Sequence, residues 1–165
     1  MDQGTRDVDR PEYLSSTGAR SSTLISDFSD TRPVKTSYRV IIEHINHNPV
    51  GKNASDKLNE EFVILENEGP EKVSLSGWTL TDRTATGERP HVYKFPPAFT
   101  LSPREKVYLH TGLGKDSFEK GKPSKWNLYW GRQSFVWNNE GDTATLFDAE
   151  GNTVDSLQVV TLKAT

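Results

Sequence analysis

Leu75-Ser-Gly-Trp-Thr-Leu-Thr-Asp82 is the stretch whose reading decides the fold. Trp78 and Leu80 alternate with Thr79 and Thr81, the two-residue period of a strand with one buried face. Ser76-Gly77 in front is a turn signal. Trp78 is the largest side chain on that face. Removing about 200 Å² of it from water, at roughly 25 cal/mol per Å², stabilises by several kcal/mol. The strand is therefore expected at the centre of an all-β core.

Outward from it, the chain keeps the same pattern. Strands are expected at Tyr38–Asn46, rich in β-branched residues, and at Glu61–Asn67, closed by Glu68-Gly69-Pro70. Lys72–Leu75 leads into the Trp78 strand. Then come His91–Phe95, ended by Pro96-Pro97, short Phe99–Leu101, and alternating Lys106–Thr111. Phe135–Trp137, Thr143–Asp148 and Thr153–Val159 complete the set, the last two forming a hairpin across Ala149-Glu-Gly-Asn152. Turn signals every 8–12 residues or so are the spacing of a sandwich or barrel. No strong amphipathic helix, internal repeat or heptad pattern is found.

Residues 1–37 differ in composition. Nine apolar residues are scattered there among Ser, Thr, Asp and Arg without a period, too few to offset chain entropy, so a disordered N-terminal extension is expected. Within it, Ser22-Thr-Leu-Ile-Ser-Asp-Phe28 is a short apolar cluster able to dock on a partner or on its own domain. The expected organisation is extension 1–37, one β domain over 38–160 and a C-terminal tail 161–165. A chain of 165 residues suits one such domain.

The chain has no cysteine, which excludes disulfides, thiol nucleophiles and cysteine-ligated metals. With 20 Lys+Arg against 23 Asp+Glu the net charge is -3, so the global positive field of a dedicated DNA binder is missing and nucleic-acid contact would have to be local. No apolar run approaches the ~20 residues of a membrane span, and the first residues lack an apolar leader core. A soluble protein is expected, either cytoplasmic or secreted with its signal peptide already removed. Oligomeric state is not readable.

Four blocks in order, Glu60-Glu-Phe-Val-Ile-Leu-Glu-Asn67, Leu75-Ser-Gly-Trp-Thr-Leu80, Leu101-Ser-Pro103 and Trp137-Asn-Asn-Glu-Gly-Asp-Thr-Ala-Thr-Leu-Phe-Asp-Ala-Glu-Gly-Asn-Thr-Val-Asp155, resemble the lamin tail domain over roughly residues 38–160. His110-Thr-Gly-Leu-Gly114 and the basic stretch after it look like the stand-alone bacterial branch, of the kind found in actinobacteria, rather than the nuclear lamins of animals. The resemblance implies an immunoglobulin-like β-sandwich with Greek-key-type connections. It also implies a generally non-catalytic docking module for proteins, with nucleic acid a further candidate partner in nuclear lamins. The chain departs from the lamins in lacking rod heptads, and Leu157-Gln-Val159 follows Val154-Asp155 where an aromatic is usual.

Structural roles follow from the residues themselves. Asn67 is expected to bond turn backbone groups, Gly77 to permit positive φ or close approach, and Gly141 with Asp142 to form and cap a turn. Trp78, Leu80 and Trp137 are expected in the core.

Candidate chemistry is thin. The histidines show no metal spacing. Asp142, Asp148, Glu150 and Asp155 are expected near one hairpin end, an oxygen-rich group with calcium-type ligands but no known loop spacing. Gly112-Leu-Gly-Lys-Asp-Ser117 fails as a phosphate loop, because the upstream glycine is missing and Asp116 follows the lysine. Asn53-Ala-Ser55 is a glycosylation sequon only for a eukaryotic secretory pathway. No metal and no cofactor are expected.

Gly112–Arg132 reads instead as a long basic loop, five Lys/Arg against two acids. Its Lys115, Lys120, Lys122, Lys125, Trp126 and Arg132 are the candidate binding residues, able to neutralise phosphates and stack bases. The same aromatics could simply anchor a long loop. The expected function is a non-catalytic interaction module for an unidentified protein partner. The alternative is weak nucleic-acid or polyanion binding through 115–132. A hydrolase would require His44, His91 or His110 to gather with acids.

Overall fold

The computed structural model describes residues 38–50, 55–83 and 88–163. The extension 1–37, with its Ser22–Phe28 cluster, lies outside them, as do Asn53 and Ala54 of the sequon and the last two residues of the expected tail.

Among the described residues eleven strands form in chain order: β1 Val40–Asn46, β2 Phe62–Asn67, β3 Val73–Ser74, β4 Thr79–Thr81, β5 Val92–Lys94, β6 Thr100–Leu101, β7 Lys106–His110, β8 Ser117–Glu119, β9 Lys125–Tyr129, β10 Gly141–Phe147 and β11 Thr153–Val160. A 3-10 turn, Ser55–Glu60, sits between β1 and β2. The strands make a five-stranded sheet ordered β1-β2-β7-β9-β8, a four-stranded sheet ordered β11-β10-β4-β5, and a small β3-β6 pair. All ladders are antiparallel except β7 with β9. The chain crosses between sheets from β2 to β4, from β5 to β7 and from β9 to β10, giving the immunoglobulin-like sandwich.

Alternation places the core between the sheets. Val63, Leu65, Val107, Leu109 and Leu128 come from one sheet and Leu80, Tyr93, Ala144 and Leu146 from the other. Leu80 lies in register with Tyr93 on one side and Leu146 on the other. The Leu75–Asp82 stretch is mostly turn, a correction to its length as a strand. Trp78 N donates to Leu75 O at 3.0 Å, and Gly77 adopts φ 81°, the geometry a type II turn asks of its third residue. Only Thr79–Thr81 pair in the sheet. Trp78 is nonetheless 2% exposed, and Tyr38 meets it edge-on at 4.9 Å.

A second correction concerns Phe135–Trp137, which forms no strand. Its amides go to a side chain instead of a ladder. Glu61 is fully buried, and its carboxylate accepts from Val136 N at 2.9 Å, Trp137 N at 3.1 Å and Thr111 Oγ1 at 2.7 Å. A buried carboxylate demands several donors, and the crossing segment supplies two of them.

The acidic residues of the last hairpin do not gather at one end. Asp142 and Asp148 stand at opposite ends of β10. Asp142 accepts from Arg83 N, Thr143 N and Asn138 N, while Asp148 accepts from Glu150 N and from both nitrogens of Asn152. Asp155 Oδ2 accepts Ile42 N at 2.7 Å, where the β1 register shifts. Among the described residues no group of three or more His, Cys, Asp or Glu could hold a metal. Asp142, Asp148 and Asp155 each cap backbone separately.

At Asp148, burial opposes ionisation, but the donors from Asn152, Glu150 and Gly151 outweigh it and hold the carboxyl below its ordinary 3.8. A depressed folded-state value stabilises fully above the ordinary value, and the contribution is lost as pH falls through the folded one. Accordingly, the urea-midpoint difference between wild type and Asp148→Asn should be constant above about pH 5 and shrink below about pH 4.

Two further outcomes are expected from urea unfolding. Trp78→Ala should destabilise by about 3–5 kcal/mol, and a variant of near wild-type stability would refute its place in the core. In Glu61→Gln, either amide orientation turns an NH2 toward Val136 N–H or Trp137 N–H, so a cost of about 1–3 kcal/mol is expected.

Candidate interaction surface

The basic stretch is not a loop. The expectation of a loop over 115–132 is corrected by two strands, β8 and β9, which form a hairpin at the end of the five-stranded sheet. β9 inserts between β8 and β7, pairing parallel to β7 and antiparallel to β8. A parallel partner far along the chain leaves no local turn signature, which is why the sequence reads as irregular there.

The hairpin register, Ser117 opposite Asn127 and Glu119 opposite Lys125, divides the six candidate residues. Lys115 leads into β8 at one end, the end from which the chain leaves β9 toward Arg132. Lys120 and Lys122 lie in the turn at the other end, beside Lys125. Trp126 packs between Phe99 at 5.1 Å and Phe118 at 4.8 Å, and its Nε1 is buried without a hydrogen-bond partner. Half-buried, it anchors the hairpin. Lys125 Nζ sits 3.3 Å from Glu119 Oε2 and 4.8 Å from the centre of the Tyr108 ring.

Arg132 donates its backbone N–H to Thr111 O at 2.9 Å. Its half-buried side chain lines a pocket of about 340 Å³ with Ser55, Asp56, Asn59, Leu113 and Gln133. Opposite charges face this pocket from Arg132 and Asp56. The turn end gains cations that the sequence reading missed. Arg104 and Lys122 line a second pocket, of about 430 Å³, and Lys106 stands opposite Lys125 across the β7–β9 ladder.

Acids neutralise most of this charge. A hydrogen bond from Lys106 to Glu43 Oε2 at 2.6 Å, helped by the charges of Glu43 and Glu66, raises the ammonium above its ordinary value. Arg104 is 3.5 Å from Glu66. Asp116 and Glu119 are also used internally: Asp116 Oδ1 accepts Tyr129 N at 3.1 Å, and Glu119 Oε1 accepts Asn127 Nδ2 at 3.0 Å. Lys115, Lys120 and Lys122 remain exposed, in no ion pair among the described residues.

The hairpin is held firmly. The Tyr129 ring stacks on His110 at 5.0 Å, and on its other side Gly114 approaches so closely that a Cβ there would stand 2.3 Å from the ring. Of the candidate histidines, His44 and His110 both border the Phe62 ring, at 6.2 and 5.8 Å. His91 Nδ1 pairs with Asp82 Oδ2 at 2.7 Å, His47 bonds Thr161 Oγ1, and His110 bonds Asn59 O and Asn127 Oδ1.

The structural residues occupy turns and core. Asn67 donates to Glu71 O and Leu101 O and accepts Gly69 N. Gly141 has φ 139° and a position where a Cβ would lie 2.7 Å from Val159 O. Trp137 is buried beside Trp130. Among the described residues no helix is long and apolar enough to cross a membrane.

A search of curated proteins finds none that matches the chain. The family model described as Lamin Tail Domain matches residues 33–161, covering both sheets and the hairpin, and the chain belongs to the lamin tail domain family.

Proposed function

We propose that this chain is a non-catalytic docking module for a protein partner, with the β8–β9 hairpin as its contact surface. One observation carries this reading: the hairpin sets Lys115, Lys120, Lys122 and Lys125 against Asp116 and Glu119, and Lys115, Lys120 and Lys122 are exposed and outside any ion pair among the described residues. The hairpin is thus a rigid positive feature on a chain of net charge -3, suited to steering an acidic partner. Family membership supports an interaction role. The bonds of His47, His91 and His110 within the fold support a non-catalytic one.

Weak polyanion binding is the second reading, favoured by the pocket where Lys122 faces Arg104. Phosphate contacts of this kind fall steeply with salt. The pairing of Lys106, Lys125 and Arg104 with acids, and the burial of Trp126 among rings, weigh against it.

The test is affinity capture from nuclease-treated extract of the native host, beside fluorescence anisotropy of a single-stranded oligonucleotide. Protein docking predicts captured proteins that survive nuclease and fall at least about tenfold with Lys115→Glu/Lys120→Glu/Lys122→Glu. It predicts no oligonucleotide binding at about 0.15 M salt. Oligonucleotide binding at that salt, with nothing captured after nuclease, would instead establish the polyanion reading.

A further inference from the structure

Sheet edges decide which partner an all-β domain can accept, because an edge strand presents unpaired backbone N–H and C=O groups. The two larger sheets have four edge strands, β1, β8, β11 and β5. Three of them are blunted. β1 and β11 lie against each other at one corner, where Asp155 takes the Ile42 amide at 2.7 Å. β5 is flanked by Pro90 before it and Pro96-Pro97 after it. Prolines lack the N–H that an added strand would use, so pairing cannot extend past β5 in either direction.

β8 has neither device. Among the described residues β9 is its one ladder partner, and all three of its residues are exposed, Phe118 at 44%. The Phe118 ring rests on Trp126 at 4.8 Å, so an apolar side chain arriving at this edge would meet an anchored aromatic. Lys115 stands before the strand and Lys120 and Lys122 after it. Charge on an edge discourages pairing with neutral strands and with a second copy of the same basic edge. An acidic strand is the partner that this charge admits.

We propose that β8 is a strand-addition site for an extended acidic segment of a partner protein, which pairs its backbone with Ser117–Glu119 while its carboxylates meet Lys115, Lys120 and Lys122. The proposal rests on the docking reading and specifies its mode. Main-chain bonds would supply affinity and the lysines selectivity.

The probe is a capped peptide of about eight residues alternating Glu and Val, titrated into the isotope-labelled full chain and followed by NMR. The amides of residues 117–119 should shift and gain protection from exchange. N-methylation of the peptide along its pairing edge should weaken binding at least about tenfold. The charge reversal Lys115→Glu/Lys120→Glu/Lys122→Glu should do likewise, with the rest of the spectrum unchanged as proof of folding. Strand addition is overturned if the peptide fails to bind the wild type, or if the N-methylated peptide binds as well as the parent. If the peptide fails while capture from nuclease-treated extract persists, docking stands and only its strand-addition mode falls.

Discussion

The buried Glu61 carboxylate ties together parts of the chain that share no local relation. It stands one residue ahead of β2, yet it receives Thr111 from the end of β7 and Val136 and Trp137 from the crossing between the sheets. A carboxylate out of water is tolerable only when its oxygens are met by well-placed donors. That requirement holds Trp137 over the core and gives β10 its starting point. The β9–β10 crossing needs no ladder of its own, because the carboxylate takes the place of a neighbouring strand.

The same economy recurs at the other turns. Asn67, Asp142, Asp148 and Asp155 each use a short polar side chain to bind backbone amides that the sheets leave over. In a sandwich of strands only two to eight residues long, ladders alone leave many such groups unpaired. These side chains close the frame around an apolar centre, and three acids of the last hairpin, Asp142, Asp148 and Asp155, take part in it.

Internal use of acids also shapes the surface. The hairpin that carries Lys115, Lys120 and Lys122 carries two acids as well, and both are drawn into bonds that orient Tyr129 and Asn127. Lys115, Lys120 and Lys122 are left outward beside a sheet edge that, among the described residues, has no flanking proline and no facing strand. The aromatics of the same stretch also pack: Trp126 against Phe99 and Phe118, and Tyr129 against His110.

Alternation and turn residues are local, and what they encode was legible from the sequence alone: an all-β class, a core around Trp78 and Leu80, the closing hairpin, and the blocks that resemble the lamin tail domain. Burial of a side chain on a two-residue period leaves its mark on nearest neighbours. Only the tertiary structure decided that the strand after the Leu75–Trp78 turn is three residues long, that Val136 and Trp137 serve Glu61, and that the basic stretch is an edge hairpin whose β9 runs parallel to β7. Each of these depends on a partner beyond the local stretch, a carboxylate or a ladder that the fold brings alongside. Such pairing has no period in the sequence, because it is the closing of the sandwich that brings the partners together.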